Sequence, residues 1–158
     1  MNIKDLVKDR TKSLEDLTQL IIQNENGKEF IGNGKEIVHH DAVPLKHSFA
    51  DNVYIREMKM AKGILVLGAI HKHHHVWFLL TGHLTIGTNE TVEDYIAPCY
   101  VVSKPGTQRA IYANEDSIFV NIHKNPTNTR DIMKLEKEIV SLNTKEYEEY
   151  INQQNLKL

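Results

Sequence analysis

The chain has 158 residues, of which 41% are hydrophobic and 25% charged, with a formal net charge of −2; this suits one domain with its own core, and no segment gathers enough Lys or Arg to make nucleic acid or an anionic membrane the first partner. The charged start MNIKDLVKDR argues against a secretory leader, and no run approaches the roughly 20 apolar residues of a membrane span. A single cysteine, Cys99, excludes an internal disulfide and fits a reducing compartment, so a cytoplasmic protein is expected.

In chain order, Leu6, Leu14, Leu17, Leu20 and Ile21 are spaced for a helical stripe within residues 3–24, with Ser13 as N-cap. Residues 24–34 (NENGKEFIGNG) are rich in turn formers and predict a loop. From about residue 36 the period shortens. Apolar runs occupy 53–60, 63–71, 76–81, 84–88, 91–96, 99–103, 108–113 and 117–123, most of them separated by turn signals such as Thr81-Gly82 and Lys104-Pro105-Gly106. Many short strands without intervening helices predict an antiparallel sandwich or barrel. After Pro126 the helical period returns on Ile132, Leu135, Ile139 and Leu142, breaks near Asn143, and resumes on Tyr147, Tyr150 and Ile151. The expected plan is one domain in three parts: helix and loop over 1–35, barrel over 36–125, and a helical segment over 126–158.

The stretch GILVLGAIHKHHHVWFLLTG, Gly63 to Gly82, carries the chemistry. It resembles the first motif of the cupin superfamily: a glycine, five residues, H-x-H, three or four residues, a glutamate, six residues and a glycine. Gly63 and Gly82 set the register. Ala69 then takes the first histidine slot, His71 the second, and His75 the place of the glutamate. A second, weaker motif, PCYVVSKPGTQRAIYA, keeps Gly106 in its turn, with Pro98 for the opening glycine and Arg109 for the usual histidine. The resemblance covers about residues 50–125. It implies an all-β cupin double-stranded β-barrel, or jelly roll, with flanking N- and C-terminal helices. The wording of the chain is also similar to small cupin-like proteins of bacteriophages and bacteria, which would put a phage-encoded copy in the host cytoplasm. The same resemblance implies a homodimer, with the 13–24 helix covering one barrel face or swapping onto a partner.

Four residues apart across a tight turn, His71 and His75 can face each other in the barrel mouth. Neutral imidazoles suit Fe, Ni, Mn or Zn, and a stable site needs a third protein ligand. In a cupin the last strand ends beside the strand that opens at the glutamate slot, which nominates His123; His73, sharing parity with 71 and 75, is the alternative, and His74 then points away. Three histidines would leave the site neutral apart from the metal and favour an anionic small-molecule ligand, with Arg109 pairing its carboxylate. Arg109 as a structural ion pair is the competing reading. Either Arg56 or Glu57 must face inward before Gly63, and an inward Glu57 could be a further ligand or general base. His39, His40, His47 and His83 read as structural or exposed. Trp77 and Phe78 read as barrel lining and core, and Cys99 as a small buried residue rather than a nucleophile.

Three functions follow: a mononuclear metal-dependent enzyme of dioxygenase or lyase type, a non-catalytic cupin that binds metal or a small ligand, or a structural protein. Small cupin lyases of dimethylsulfoniopropionate place a tyrosine two residues after the glutamate slot. Here that position is Trp77, which lacks the acidic hydroxyl.

Overall fold

A computed structural model describes Leu14, Asp16 and Leu17, the backbone of residues 29–31, and residues 43–158. The described strands are β1 (Glu29–Ile31), β2 (Leu45–Ala50), β3 (Val53–Met60), β4 (Leu65–Leu67), β5 (Ile70–His71), β6 (His75–Thr81), β7 (His83–Gly87), β8 (Val92–Ile96), β9 (Cys99–Ser103), β10 (Ala110–Ala113), β11 (Ser117–Lys124) and β12 (Val140–Ser141). Two helices follow the barrel, α1 (Ile132–Ile139) and α2 (Thr144–Leu156), with β12 between them.

Alternation on each strand sorts side chains between two faces. On β6, His75, Trp77 and Leu79 are buried, whereas Leu80 is exposed. On β3, Tyr54, Met58 and Met60 are buried. The strands assemble into two five-stranded sheets, ordered β1-β4-β10-β7-β8 and β2-β3-β11-β6-β9, while β5 and β12 form a two-stranded ribbon. Apart from the parallel β1–β4 pair, the ladders are antiparallel. The main core lies between the sheets and includes Met58, Met60, Val66, Trp77, Leu79, Leu84, Ile86, Ile111 and Phe119. This is the double-stranded β-barrel expected from the short-strand pattern.

Two further clusters close the barrel. Leu14 and Leu17, both helical, pack with Leu65, Leu67 and Ala110 on the outer face of the first sheet. At one end, Leu135 and Ile139 of α1 pack with Val140, Tyr54 and Ala69. Asp131 caps α1 by accepting from Lys134 N–H at 3.2 Å. The helix ends where Val140 turns extended and pairs with His71. Asn143 caps α2, accepting from Glu146 N–H at 2.9 Å, while the Glu146 carboxylate accepts from Leu142 N–H at 2.9 Å.

Several boundaries differ from the expectation. The predicted loop over 24–34 contains β1, because Glu29–Ile31 finds a parallel edge on β4 that no local signal announces. The 126–158 segment is not purely helical: β12 interrupts it, and Leu142, expected on the helical stripe, lies beyond the helix and is exposed. Ser13, Leu6, Leu20 and Ile21 lie outside the described residues, as do His39 and His40.

Candidate metal centre

The turn between β5 and β6 brings His71 and His75 into the barrel from its two sides. Its backbone is tied down on the β5 side: His71 N–H donates to Thr107 O at 3.0 Å, Gly106 N–H to His71 O at 2.7 Å, and Lys72 N–H to Ile139 O at 2.9 Å. His123 arrives from the last barrel strand, β11, whose partner Ile122 pairs with Val76 next to His75. One ligating nitrogen from each of His71, His75 and His123 lies within 4.8 Å of the others. The rings stack, with centroids 3.9 Å apart for His71–His75, 4.9 Å for His75–His123 and 5.2 Å for His71–His123. All three are buried.

Arg109 stands beside them. Its Nη2 donates to His75 Nε2 at 3.0 Å, His71 Nε2 at 3.2 Å and Asn121 Oδ1 at 3.4 Å, and its Nη1 donates to Ser103 Oγ at 3.0 Å. The side chain is 4% exposed and makes no ion pair among the described residues. Burial lowers its pKa to about 10, with Tyr95 opposing the shift, so it is charged at neutral pH. Burial and then the Arg109 charge push His75 down to about 3. His71 is held well below the usual imidazole range by burial, Arg109 and the other two histidines, and His123 by burial, His75 and the two arginines. The three rings are therefore neutral, the form that ligates a metal.

A second, half-buried cation belongs to the same interior. The inward position on β3 is taken by Arg56, in phase with Tyr54 and Met58, and not by Glu57, whose neighbours in register are Lys46 and Val120. Glu57 is thereby removed as ligand or general base. Arg56 pairs with Glu136 of α1 at 2.7 Å and donates to Tyr54 Oη at 2.9 Å. Burial opposes its charge, but Glu136 and Tyr54 more than offset this and its pKa is raised. The sequence reading left Arg56 and Glu57 as alternatives for the inward position, and it missed Asn121 and Glu136. Strict alternation back from Met60 and Met58, and from His123 to Asn121, was the available signal for Arg56 and Asn121. Glu136 lies 80 residues from Arg56 and had none.

The remaining histidines separate cleanly. His73 leaves the cluster because the strand breaks at 72–74, so parity no longer governs it; its Nε2 lies 3.2 Å from Glu138 O and its ring meets Tyr150 edge-on. His74 is exposed. His47 bonds Tyr54 Oη at 2.7 Å, and His83 lies 3.7 Å from Asp94. Ala69, in the slot of the absent histidine, packs under α1. Trp77 is fully buried against Phe119 and Tyr95, as core. Cys99 packs partly buried against the core, and burial raises its thiol pKa.

Two cavities border the histidines, and a third opens beside Arg109. An interior cavity of about 80 Å³ is bordered by His71, Arg109, Arg56, Glu136, Asn121 and an apolar wall that includes Phe119. A cleft of about 440 Å³ opens the barrel mouth, with Trp77, Ser103 and Arg109 in its depth and the segments 88–91 and 104–108 at its rim. On the other side, a surface depression of about 300 Å³ is lined by His74, His75, His123 and Lys124.

No protein-family profile matches the sequence, and no curated protein matches it. Solved structures do. KdgF from Halomonas sp. superposes with a TM-score of 0.50 at 14% identity, over 60% of this chain and 87% of that one. A cupin superfamily protein from Desulfitobacterium hafniense gives 0.48 at 16% identity, over 54% and 80%. An acetylacetone dioxygenase from Acinetobacter johnsonii gives 0.45 at 15% identity, over 52% and 59%. At such identities the likeness bears on architecture alone; that of KdgF agrees with the strand order, and the chain has the all-β cupin jelly-roll fold.

Proposed function

We propose that this protein is a mononuclear metal-dependent cupin enzyme that uses His71, His75 and His123 to hold one divalent ion and acts on a small molecule entering by the barrel mouth. The convergence of three neutral, buried imidazoles from three strands, with ligating nitrogens within 4.8 Å, carries the reading. The donor set suits Fe, Ni, Mn or Zn, and three protein ligands leave positions open for water or substrate. The Nδ1 atoms of His71 and His75 are buried without hydrogen-bond partners, and they can ligate only where Nε2 gives up its bond from Arg109. A bound ion would supply Lewis acidity to a substrate oxygen. The protein's own part is to keep the imidazoles neutral, to shield them under α1, and to present Arg109 to the substrate.

One observation favours a second reading, a non-catalytic cupin that binds a small ligand. Each neutral imidazole has one lone pair. At His71 and His75 the Nε2 atoms face Arg109 Nη2, so an ion must either displace that guanidinium or leave the pair to it. In this second reading Arg109 takes the ion's place. In both, the setting is cytoplasmic.

Metal analysis of untagged protein separates them. About one ion per chain is expected after incubation with iron, nickel, manganese and zinc. It should be lost in His71→Ala, His75→Ala and His123→Ala, kept in His73→Ala, and bound at least as tightly in Arg109→Gln. Substoichiometric metal that ignores these changes overturns the enzyme reading and leaves the ligand-binding one.

A further inference from the structure

The 440 Å³ cleft is not accounted for by the histidines. Its depth is apolar on one side, with Trp77, Ile86 and Val101, and polar on the other, with Ser103, Gln108 and Arg109. Arg109 supplies the cleft's buried cation. Its hydrogen bonds go to a hydroxyl, an amide oxygen and two imidazoles, all neutral. Its Nε–H is buried and has no hydrogen-bond partner. Arg56, the half-buried arginine of the same interior, is already paired with Glu136. Among the described residues, the interior therefore carries one positive charge with no carboxylate paired to it. Burying such a charge is costly, and a ligand that supplies the opposite charge and accepts the free N–H relieves that cost.

We propose that the barrel mouth is a carboxylate site, in which Arg109 grips the carboxylate of a small ligand while Trp77, Ile86 and Val101 receive its apolar or aromatic body. This deepens the metal-enzyme reading and rests on it for the claim that the ligand is a substrate. A carboxylate matches the edge of a guanidinium and accepts two of its N–H groups at once. The size of the cleft falls in the range that holds small organic ligands. Glu90 and Glu93 also line the cleft, opposed by Lys104. Glu93 accepts from the Tyr95 hydroxyl, and both carboxylates lie on the exposed rim, where water screens them more than it screens Arg109.

The chain has one tryptophan, Trp77, and it lines the cleft. Its emission reports occupancy without any turnover. Phenylacetate and its neutral counterpart, phenylacetamide, are titrated into chelator-treated protein and into zinc-loaded protein. Phenylacetate is expected to bind about tenfold or more tightly than the amide, and Arg109→Gln to abolish the preference while Arg109→Lys keeps part of it. Equal binding of acid and amide in wild type, or a preference that survives in Arg109→Gln, overturns the proposal. The wild-type comparison stands even where a variant fails to fold. Zinc content measured on the same samples tests the metal reading separately, since the acid preference is read in metal-free protein as well.

Discussion

His71, His75 and His123 pay for neutrality in acid. In the unfolded chain each imidazole titrates near 6.5, whereas His75 folded holds no proton until about pH 3, and His71 and His123 are lowered as well. Below the unfolded value the unfolded state binds more protons, so stability rises with pH through this window and is lost as pH falls. Metal-free protein is expected to need clearly less urea to unfold at pH 5 than at pH 7, with the dependence flattened in His75→Gln. A midpoint that does not move between those pH values would sink this account. At this scale the sequence was informative where spacing is local. His71 and His75 flank a turn whose register two glycines set. His123 depended on a strand pairing supplied by resemblance, and Arg56 with Glu136 depended on a contact across 80 residues, which no single-sequence pattern encodes.

Elements were legible in proportion to how much their own residues decide them. Seven of the eight predicted apolar runs correspond to single strands, and one, 63–71, splits into β4 and β5 at Gly68-Ala69. β2 and β1 were missed: β2 (LKHSFA) alternates weakly, and β1 is three residues defined by its neighbour. The break at Asn143 was readable because a side-chain cap is a local device. The β6–β7 turn is equally local. Gly82 has φ of +90°, and a Cβ there would overlap Ser117 Oγ and stand 2.5 Å from Asp116 O. Gly82→Ala is expected to destabilise the barrel by about 1–3 kcal/mol from backbone strain alone, and by more once the overlap is added. Thermal unfolding against wild type measures it, and an unchanged midpoint would show that the turn relaxes freely.

For the whole molecule, the outer face of the second sheet is unusually apolar. Val76, Phe78 and Leu80 on β6 stand beside Tyr100 and Val102 on β9 and Ile118, Val120 and Ile122 on β11. Leu80, Tyr100 and Val102 are 49%, 65% and 59% exposed. β9 is also the edge of its sheet, a place that proteins usually guard with charge. We propose a homodimer through this face, since an exposed apolar patch at a sheet edge can pair with its own copy about a two-fold axis. Light scattering should give twice the chain mass for wild type and the chain mass for Tyr100→Lys with Val102→Lys; a monomeric wild type removes the proposal. The homodimer was expected only by resemblance, because a sequence marks which strand positions are apolar but not which face the fold leaves bare.

The histidines and Arg109 together form a wall with a room on either side: the mouth cleft borders Arg109, the inner cavity borders Arg109 and His71, and the outer depression borders His75 and His123. Were an ion held in that wall, the outer depression past His74 and Lys124 would offer it a route separate from the mouth that the proposed organic ligand uses. Metal supply and ligand traffic would then be uncoupled in space. A chelator would reach the ion from behind even with the cleft filled, and a bulky cleft ligand would slow turnover without locking the metal in.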